Sequence, residues 1–204
     1  MPMMSQPPPL LSLSLNSFIR IYAMDPARQI SEVLRRVQQS SGYDFYRTMN
    51  LAITARINSK SQDEIAYILN ASSRPDEISY NKAAYDAFEK KFGSKKKLTT
   101  FEKKGSVKLA DGKIVINVMP SFMVETSASM DVYHIWAIQN PKMDKSKANC
   151  ACYVMEQAFK KSAPNYRYKL FDATSSKTYS GSSNTTGLAV SSVADNMAKW
   201  IENS

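Results

Sequence analysis

The chain has 204 residues and a formal net charge of +9, and hydrophobic residues make up 43% of it. This length allows one large domain or two small ones, and the hydrophobic content is high enough for a packed core, which excludes a disordered polymer. No run of about 18 apolar residues occurs, so the sequence predicts no membrane span.

The N-terminal segment, residues 1–24, is expected to form an arm. Three prolines precede the apolar stretch 10–15, no basic residue comes before that stretch, and Arg20 follows it closely. These flanks do not fit a secretory signal peptide, so secretion is not expected. We interpret the segment as an arm that docks on a partner or on a neighbouring copy of the chain.

Residues 25–93 are predicted to form a helical unit of about four helices. The first begins at Asp25, whose side chain can cap a helix that has a proline at its first position. The third begins with the capping-box pair Ser61 and Glu64, and the fourth ends at Gly93. The connections between the helices are short, which favours antiparallel packing.

Residues 94–105 are expected to be a basic linker and residues 106–204 an α+β unit. Apolar residues alternate with polar ones on both sides of Asp111-Gly112, which predicts a β-hairpin because both residues tolerate positive φ. Further strands are predicted over 122–125, 132–138 and 166–171, and helices over 145–161 and 188–201. The fold class is therefore α+β, with the helical N-terminal unit followed by a small antiparallel sheet and two helices.

Positive charge is concentrated in the middle of the chain. Residues 82–169 hold 17 Lys and Arg against 8 Asp and Glu, whereas the segments on either side are close to neutral. Lysine neutralises phosphate without a fixed geometry, and interleaved phenylalanines (Phe88, Phe92 and Phe101) would stack on unpaired bases. The candidate phosphate-binding residues are Lys90, Lys91, Lys95, Lys96, Lys97, Lys103, Lys104, Lys108 and Lys113.

The basic segment has a second interpretation, in which its lysines form a solvated surface and its phenylalanines lie in the core. No Arg occurs between Lys82 and Lys113. Bidentate recognition of base edges uses Arg more than Lys, so this composition favours binding to the phosphate backbone without sequence preference.

A second candidate binding segment consists of Tyr166, Arg167, Tyr168 and Lys169. On a strand, the two tyrosines share one face and the two cations share the other. Exposed tyrosines would form a stacking platform for RNA. The alternative, which the alternation itself favours, is a half-buried strand whose tyrosines cover the core while the cations face water.

The residues that suit nucleophilic chemistry are His134, Cys150 and Cys152. A Cys–His pair needs a thiolate that imidazole can activate. His134 is predicted to share a strand face with Val132 and Trp136, and Cys152 falls on the apolar face of its helix, so both are expected in the core. Cys-x-Cys is a poor zinc spacing. No dinucleotide, Walker A, zincin or hydrolase motif occurs, and no cofactor, metal site or catalytic residue is predicted.

These patterns predict a non-enzymatic, basic structural protein that binds nucleic acid, RNA in preference to DNA, without sequence preference. An arm, a helical unit and a basic face suit a self-associating protein of the coat or nucleocapsid kind, including a viral one, located in the cytoplasm or in a virion. Self-association is expected through the arm or the helical unit. An interaction module that binds an acidic protein partner is the alternative, and a small Cys/His enzyme is the third hypothesis.

Overall fold

The structure of the protein, a computed structural model, describes residues 7–39 and 43–204. This part of the chain contains seven helices and eight strands, and the strands form a three-stranded and a five-stranded sheet. The predicted α+β class is confirmed, although two sheets are present where the sequence predicts one small sheet. In chain order the elements are β1 (Leu11–Ser14), α1 (Leu15–Tyr22), α2 (Pro26–Gln38), α3 (Arg47–Ile57), α4 (Gln62–Leu69), α5 (Pro75–Phe92), β2 (Leu98–Thr100), β3 (Gly105–Leu109), β4 (Ile114–Val118), β5 (Phe122–Glu125), β6 (Met130–Trp136), α6 (Lys145–Phe159), β7 (Tyr166–Asp172), β8 (Lys177–Ser180) and α7 (Asn184–Glu202).

The helix starts follow the capping signals in the sequence. The Asp25 side chain accepts a hydrogen bond from the Arg28 N–H at the start of α2. At the start of α4, Ser61 and Glu64 form both bonds of the predicted capping box. These local side-chain bonds satisfy amide groups that a helix leaves free at its N-terminus, which fixes where each helix begins.

The five-stranded sheet has the strand order β2-β5-β6-β7-β8. All its pairs are antiparallel except β6 and β7, which run parallel because α6 carries the chain back along the sheet between them. The register places Asp131 beside Arg167 and Tyr133 beside Lys169. Strand β2 lies inside the segment predicted to be a linker, and it pairs with β5 at one edge of the sheet.

The three-stranded sheet has the order β1-β4-β3 and contains the predicted hairpin. Residues 110–113 join β3 to β4, and Ala110, Asp111 and Gly112 have φ values of 49°, 54° and 86°. These positive values explain why the turn uses Asp-Gly. Strand β1 adds to the other side of β4 in parallel, a pairing that the sequence analysis does not predict.

Residues 11–22, expected to belong to an arm, form β1 and α1 inside the core of their own chain. Leu11 and Leu13 point inward from β1, and Phe18 and Ile21 of α1 are fully buried. The Leu-Ser alternation is the pattern of a strand with one buried face, which also explains why the stretch is apolar. This described part of the segment is therefore not exposed for docking on a neighbouring copy.

The helices predicted as one unit pack on two different sides of the molecule. Helix α2 contacts α1 and α7, and its Val33 lies in the larger of two hydrophobic cores. Helices α3, α4 and α5 form the smaller core against one face of the five-stranded sheet. Residues 25–93 therefore do not form one bundle, because the chain changes sides between α2 and α3.

Helix α6 lies between the two sheets and contacts β3 and β4 on one side and β7 and β8 on the other. Seven of its residues are buried, which is why it is apolar around most of its circumference. Among the described residues, every helix is too short or too polar to cross a lipid bilayer.

Candidate nucleic-acid interface

The nine predicted lysines do not share one face. Lys95, Lys96 and Lys97 lie together in the loop between α5 and β2. Lys103 lies on the α6 side of the five-stranded sheet, where its Nζ donates to the Ser162 carbonyl oxygen at 2.9 Å and is 5.8 Å from the centroid of the Tyr166 ring. The loop that carries three consecutive lysines is therefore the candidate interface.

These three lysines form one wall of an open groove of about 390 Å³, which we call the lysine groove. Helix α5 ends at Gly93, and the Lys95 N–H donates to the Phe92 carbonyl oxygen at 2.9 Å, so the chain turns sharply before β2 begins. The end of β5 and the turn after it also line the groove, and its floor, the buried part of the lining, includes two aromatic rings. The lining residues are Phe92, Lys95, Lys96, Lys97, Val124, Glu125, Thr126 and Tyr133.

The lysines of the groove differ in what they bind. Lys97 forms an ion pair with Glu125, whose N–H also donates to the Lys97 carbonyl oxygen at 3.0 Å. Lys95 and Lys96 are exposed, and within residues 7–39 and 43–204 neither forms a hydrogen bond or an ion pair through its side chain. Two ammonium groups are therefore available to an anion that enters the groove.

The remaining predicted lysines lie elsewhere, and several are already bound to protein groups. Lys91 Nζ donates to the Ser176 carbonyl oxygen at 2.8 Å, and Lys113 Nζ is 2.7 Å from the Glu202 carboxylate of α7. Three others are exposed: Lys90 on α5, Lys104 before β3 and Lys108 on β3.

The phenylalanines of the basic segment are in the core. Phe88, Phe92 and Phe101 are all buried. The Phe92 ring lies 4.8 Å from the Phe122 ring and 5.1 Å from the Phe171 ring, in edge-to-face contacts that the sheet holds in place. The prediction that these rings stack on bases is therefore wrong, and the alternative that places them in the core is confirmed.

The tyrosines of the second candidate segment face the core, as expected for a half-buried strand. Tyr168 is buried, its ring stacks on Phe159 at 5.7 Å, and its hydroxyl donates to the Ala163 carbonyl oxygen at 3.1 Å. Tyr166 is half-buried and meets the ring of Phe101 edge-on. Tyr168 is therefore not a platform for bases.

The cations of this segment bind a buried carboxylate instead of facing water alone. Arg167 Nε lies 2.8 Å from Asp131 Oδ1, and Lys169 Nζ lies 2.6 Å from Asp131 Oδ2. Burial alone would raise the pKa of Asp131, but hydrogen bonds from Arg167, Lys169 and Ser129 outweigh burial and hold the pKa below its ordinary value. Asp131 is therefore ionised and neutralises part of the positive charge here.

This ion cluster borders the lysine groove. Lys169 Nζ lies 5.8 Å from the centroid of the Tyr133 ring, which forms part of the floor of the groove. Burial, with the charge of Asp131 in second place, raises the pKa of Tyr133 to about 12. The phenol therefore stays protonated at neutral pH, and the floor of the groove carries no charge of its own.

His134, Cys150 and Cys152 are buried, and burial favours the neutral form of each side chain. His134 Nε2 is 2.8 Å from Asn16 Oδ1 of α1, and burial lowers the pKa of this histidine to about 4. Burial raises the pKa of Cys150, and it raises that of Cys152 to about 12, so both thiols are protonated. In the described part of the chain no hydrogen bond joins the imidazole to a thiol, and no three acidic, His or Cys side chains are placed to hold a metal ion.

Glu125 and Thr126 are the polar lining residues of the groove that the sequence analysis missed. Glu125 and Thr126 come at the end of β5 and belong to no charge run or motif. They reach the groove because β5 pairs with β2, which follows the lysine loop directly. Only that long-range pairing places them there, so no local signal in the sequence identifies them.

No protein-family model matches the chain, and no curated protein matches it. Four chains of solved structures do match, and one of them is described as "Crystal structure of SSO0001". That match covers 83% of both chains at 10% sequence identity, with a TM-score of 0.37. A likeness at this level supports no conclusion about fold or function.

Proposed function

We propose that the protein binds single-stranded nucleic acid, RNA in preference to DNA, through phosphate groups that enter the lysine groove. One observation carries the proposal: Lys95 and Lys96 lie side by side in the wall of an open groove, with no acidic partner among the described residues. Ammonium groups without an acidic partner attract phosphate and release its counterions.

The groove suits the backbone of a nucleic acid better than its bases. The aromatic rings of the floor, Phe92 and Tyr133, are buried, so a base has no exposed ring to stack on. Lysine offers a point charge and not a planar fork, so it does not select one base over another. Binding without sequence preference follows from these two properties.

In this proposal the chain acts as a structural protein and catalyses no reaction. Two unpaired lysines give weak binding at a single groove, and several copies that hold one strand would multiply it through effective concentration. A coat- or nucleocapsid-like role in the cytoplasm or in a virion would use this gain in effective concentration, and we include it in the proposal. In that role copies of the chain associate with one another.

Salt dependence tests the proposal. A fluorescein-labelled oligouridine of about 12 nucleotides is titrated with the full chain at several salt concentrations, and anisotropy is recorded. The logarithm of affinity should fall by roughly 0.7 per logarithmic unit of salt for each phosphate contacted. An affinity that does not change with salt, or no binding at low salt, would contradict the proposal.

A further inference from the structure

Strand β7 has a free edge next to a second groove. Strand β8 ends at Ser180, which pairs with Lys169, so the segment 166–168 of β7 extends beyond its neighbour. On its other side the same segment pairs with β6, from Met130 onward. Beside residues 166–168 the sheet therefore lacks β8, and β7 is its edge strand there.

The backbone of Tyr168 points toward that free edge. Ala173 N–H donates to the Trp136 carbonyl oxygen of β6 at 2.8 Å, so odd-numbered residues of β7 direct their amide groups to β6. Alternate residues of a strand direct theirs to opposite edges, so Tyr168 directs its N–H and carbonyl outward. An unpaired edge of this kind is a template for another strand.

Strand β8 stops here because the chain turns away after it. Gly181 has a φ of 92°, which is outside the range of an extended strand and favours glycine. The next residue, Ser182, donates through Oγ to Glu156 Oε2 of α6 at 2.5 Å, and this bond holds the turned chain against the helix. This change of direction leaves the backbone of Tyr168 without a strand partner, whereas the Tyr166 N–H donates to the Ala163 carbonyl oxygen at 3.3 Å.

The space beside the free edge is a groove of about 720 Å³, which we call the edge groove. It lies between the last turns of α6, the loop before β7 and the end of β8, and it shares no lining residue with the lysine groove. Its lining includes Gln157, Lys160, Pro164, Tyr166, Arg167 and Gly181.

The edge groove is basic. Lys160, Arg167 and Lys169 line it against the single acid Glu156, but Arg167 and Lys169 are bound to Asp131, so its available positive charge is that of Lys160. Lys160 is exposed and has no hydrogen bond or ion pair through its side chain in the part of the chain that the structure describes. A ligand that complements this groove carries negative charge.

We propose that the edge groove binds an extended acidic peptide segment, which adds to the sheet as a strand beside residues 166–168. Backbone groups of the peptide pair with the outward N–H and carbonyl of Tyr168, and a carboxylate of the peptide meets Lys160. Strand addition of this kind takes its affinity from main-chain bonds and its selectivity from side chains. A nucleic acid has no amide groups at strand spacing, so the open edge favours a peptide.

The test uses a fluorescein-labelled peptide of about ten residues in which Glu alternates with Val, titrated with the full chain. A second peptide has the same sequence with an N-methyl group on every backbone amide, which keeps its charge and removes the donors for strand pairing on both edges. We expect the unmodified peptide to bind at least about tenfold more tightly than the methylated one. Equal binding of the two peptides, or no binding of either, would overturn the proposal.

A matched pair of variants separates the groove from general charge. Lys160→Glu and Lys161→Glu change neighbouring exposed residues by the same charge, but only Lys160 lines the groove. K160E should weaken peptide binding by about fivefold or more, and K161E by less than about twofold. Equal effects would assign the binding to net charge and reject the edge groove.

Hydrogen exchange distinguishes strand pairing from binding by charge alone. The bound peptide should slow exchange at the Tyr168 amide, because that N–H becomes a donor in the new strand pair. Unchanged exchange at Tyr168 in the saturated complex would contradict strand addition. Loss of RNA binding in lysine-groove variants leaves this result unaffected, so the two proposals fail independently.

Discussion

Asp131 of β6 lies beside Arg167 of β7 in the parallel register, with Arg167 Nε 2.8 Å from Asp131 Oδ1. Lys169 binds the second carboxylate oxygen, so one buried acid holds two cations of the neighbouring strand. The side chain of Asp131 is 4% exposed, that of Lys169 is 19% exposed and that of Arg167 is 55% exposed. The acid is therefore the buried centre of the cluster, and Arg167 is its exposed member.

Replacing the acid should cost more stability than replacing the exposed cation. Asp131→Asn leaves Lys169 partly buried without a counter-ion, and we expect a loss of about 3 kcal/mol. Arg167→Gln leaves the Asp131–Lys169 pair intact and should cost about 1 kcal/mol or less. Urea denaturation at neutral pH measures both changes, and equal losses in the two variants would show that the carboxylate is not the centre of the cluster.

The pH dependence of stability should contain a contribution from His134. The pKa of this histidine is about 4 in the folded chain and about 6.5 in an unfolded one, so the unfolded chain binds more protons between these values. Stability is therefore complete above about pH 6.5 and falls as the pH is lowered toward 4, by about 2 kcal/mol at pH 5. Urea denaturation at pH 7.5 and pH 5 should show this loss for the native chain.

The variant His134→Gln serves as the control for that measurement. It keeps a polar side chain near Asn16 and removes the titrating group, so its stability should change less between the two pH values. The lowered pKa values of Asp131, Asp144 and Glu32 cause losses only at lower pH, because these groups are ionised throughout this window. An identical pH dependence in both proteins would contradict a buried neutral His134.

The two cysteines should be unreactive while the chain is folded. Cys150 and Cys152 are both fully buried in α6, and burial raises the pKa of each thiol. We expect a thiol reagent at pH 8 to react slowly with the native protein and rapidly with both thiols in urea. Fast reaction of one thiol in the native protein would revive the hypothesis of a Cys/His enzyme.

The N-terminal segment should matter for stability as core residues do. Phe18→Ala removes a fully buried ring from α1 and should cost about 3–5 kcal/mol. Leu10→Ala changes an apolar residue that is exposed just before β1, and it should cost less than about 0.5 kcal/mol. Thermal or urea denaturation compares the two. A Phe18→Ala variant as stable as the native chain would instead support the interpretation of the segment as an arm.

Local signals in the sequence predicted the elements that depend on neighbouring residues. The capping box of Ser61 and Glu64 and the hairpin at Asp111-Gly112 are both present, because each rests on bonds or backbone angles within a few residues. The α+β class follows from such elements, since a helical period and an alternating period are visible in short windows.

The parts that sequence analysis got wrong depend on residues far apart in the chain. Nothing near residues 11–14 indicates that they pair with β4, about a hundred residues later, so an apolar stretch at the N-terminus fits an arm equally well. The same holds for the basic segment, whose lysines point to several surfaces because β2 and β3 join different sheets. Charge density in a sequence does not reveal which side chains share a surface.

A matched pair of double variants tests the lysine groove most directly. Lys95→Gln with Lys96→Gln removes the two unpaired lysines of the groove, and Lys142→Gln with Lys199→Gln removes the same charge at exposed positions outside it. Binding of the labelled oligouridine is measured at about 50 and 200 mM salt for both. We expect the groove variant to lose about tenfold or more in affinity at low salt, and its salt slope to fall by about 1.4, while the control stays close to the native protein. Equal losses in the two variants, or unchanged binding in the groove variant, would contradict phosphate binding in the lysine groove.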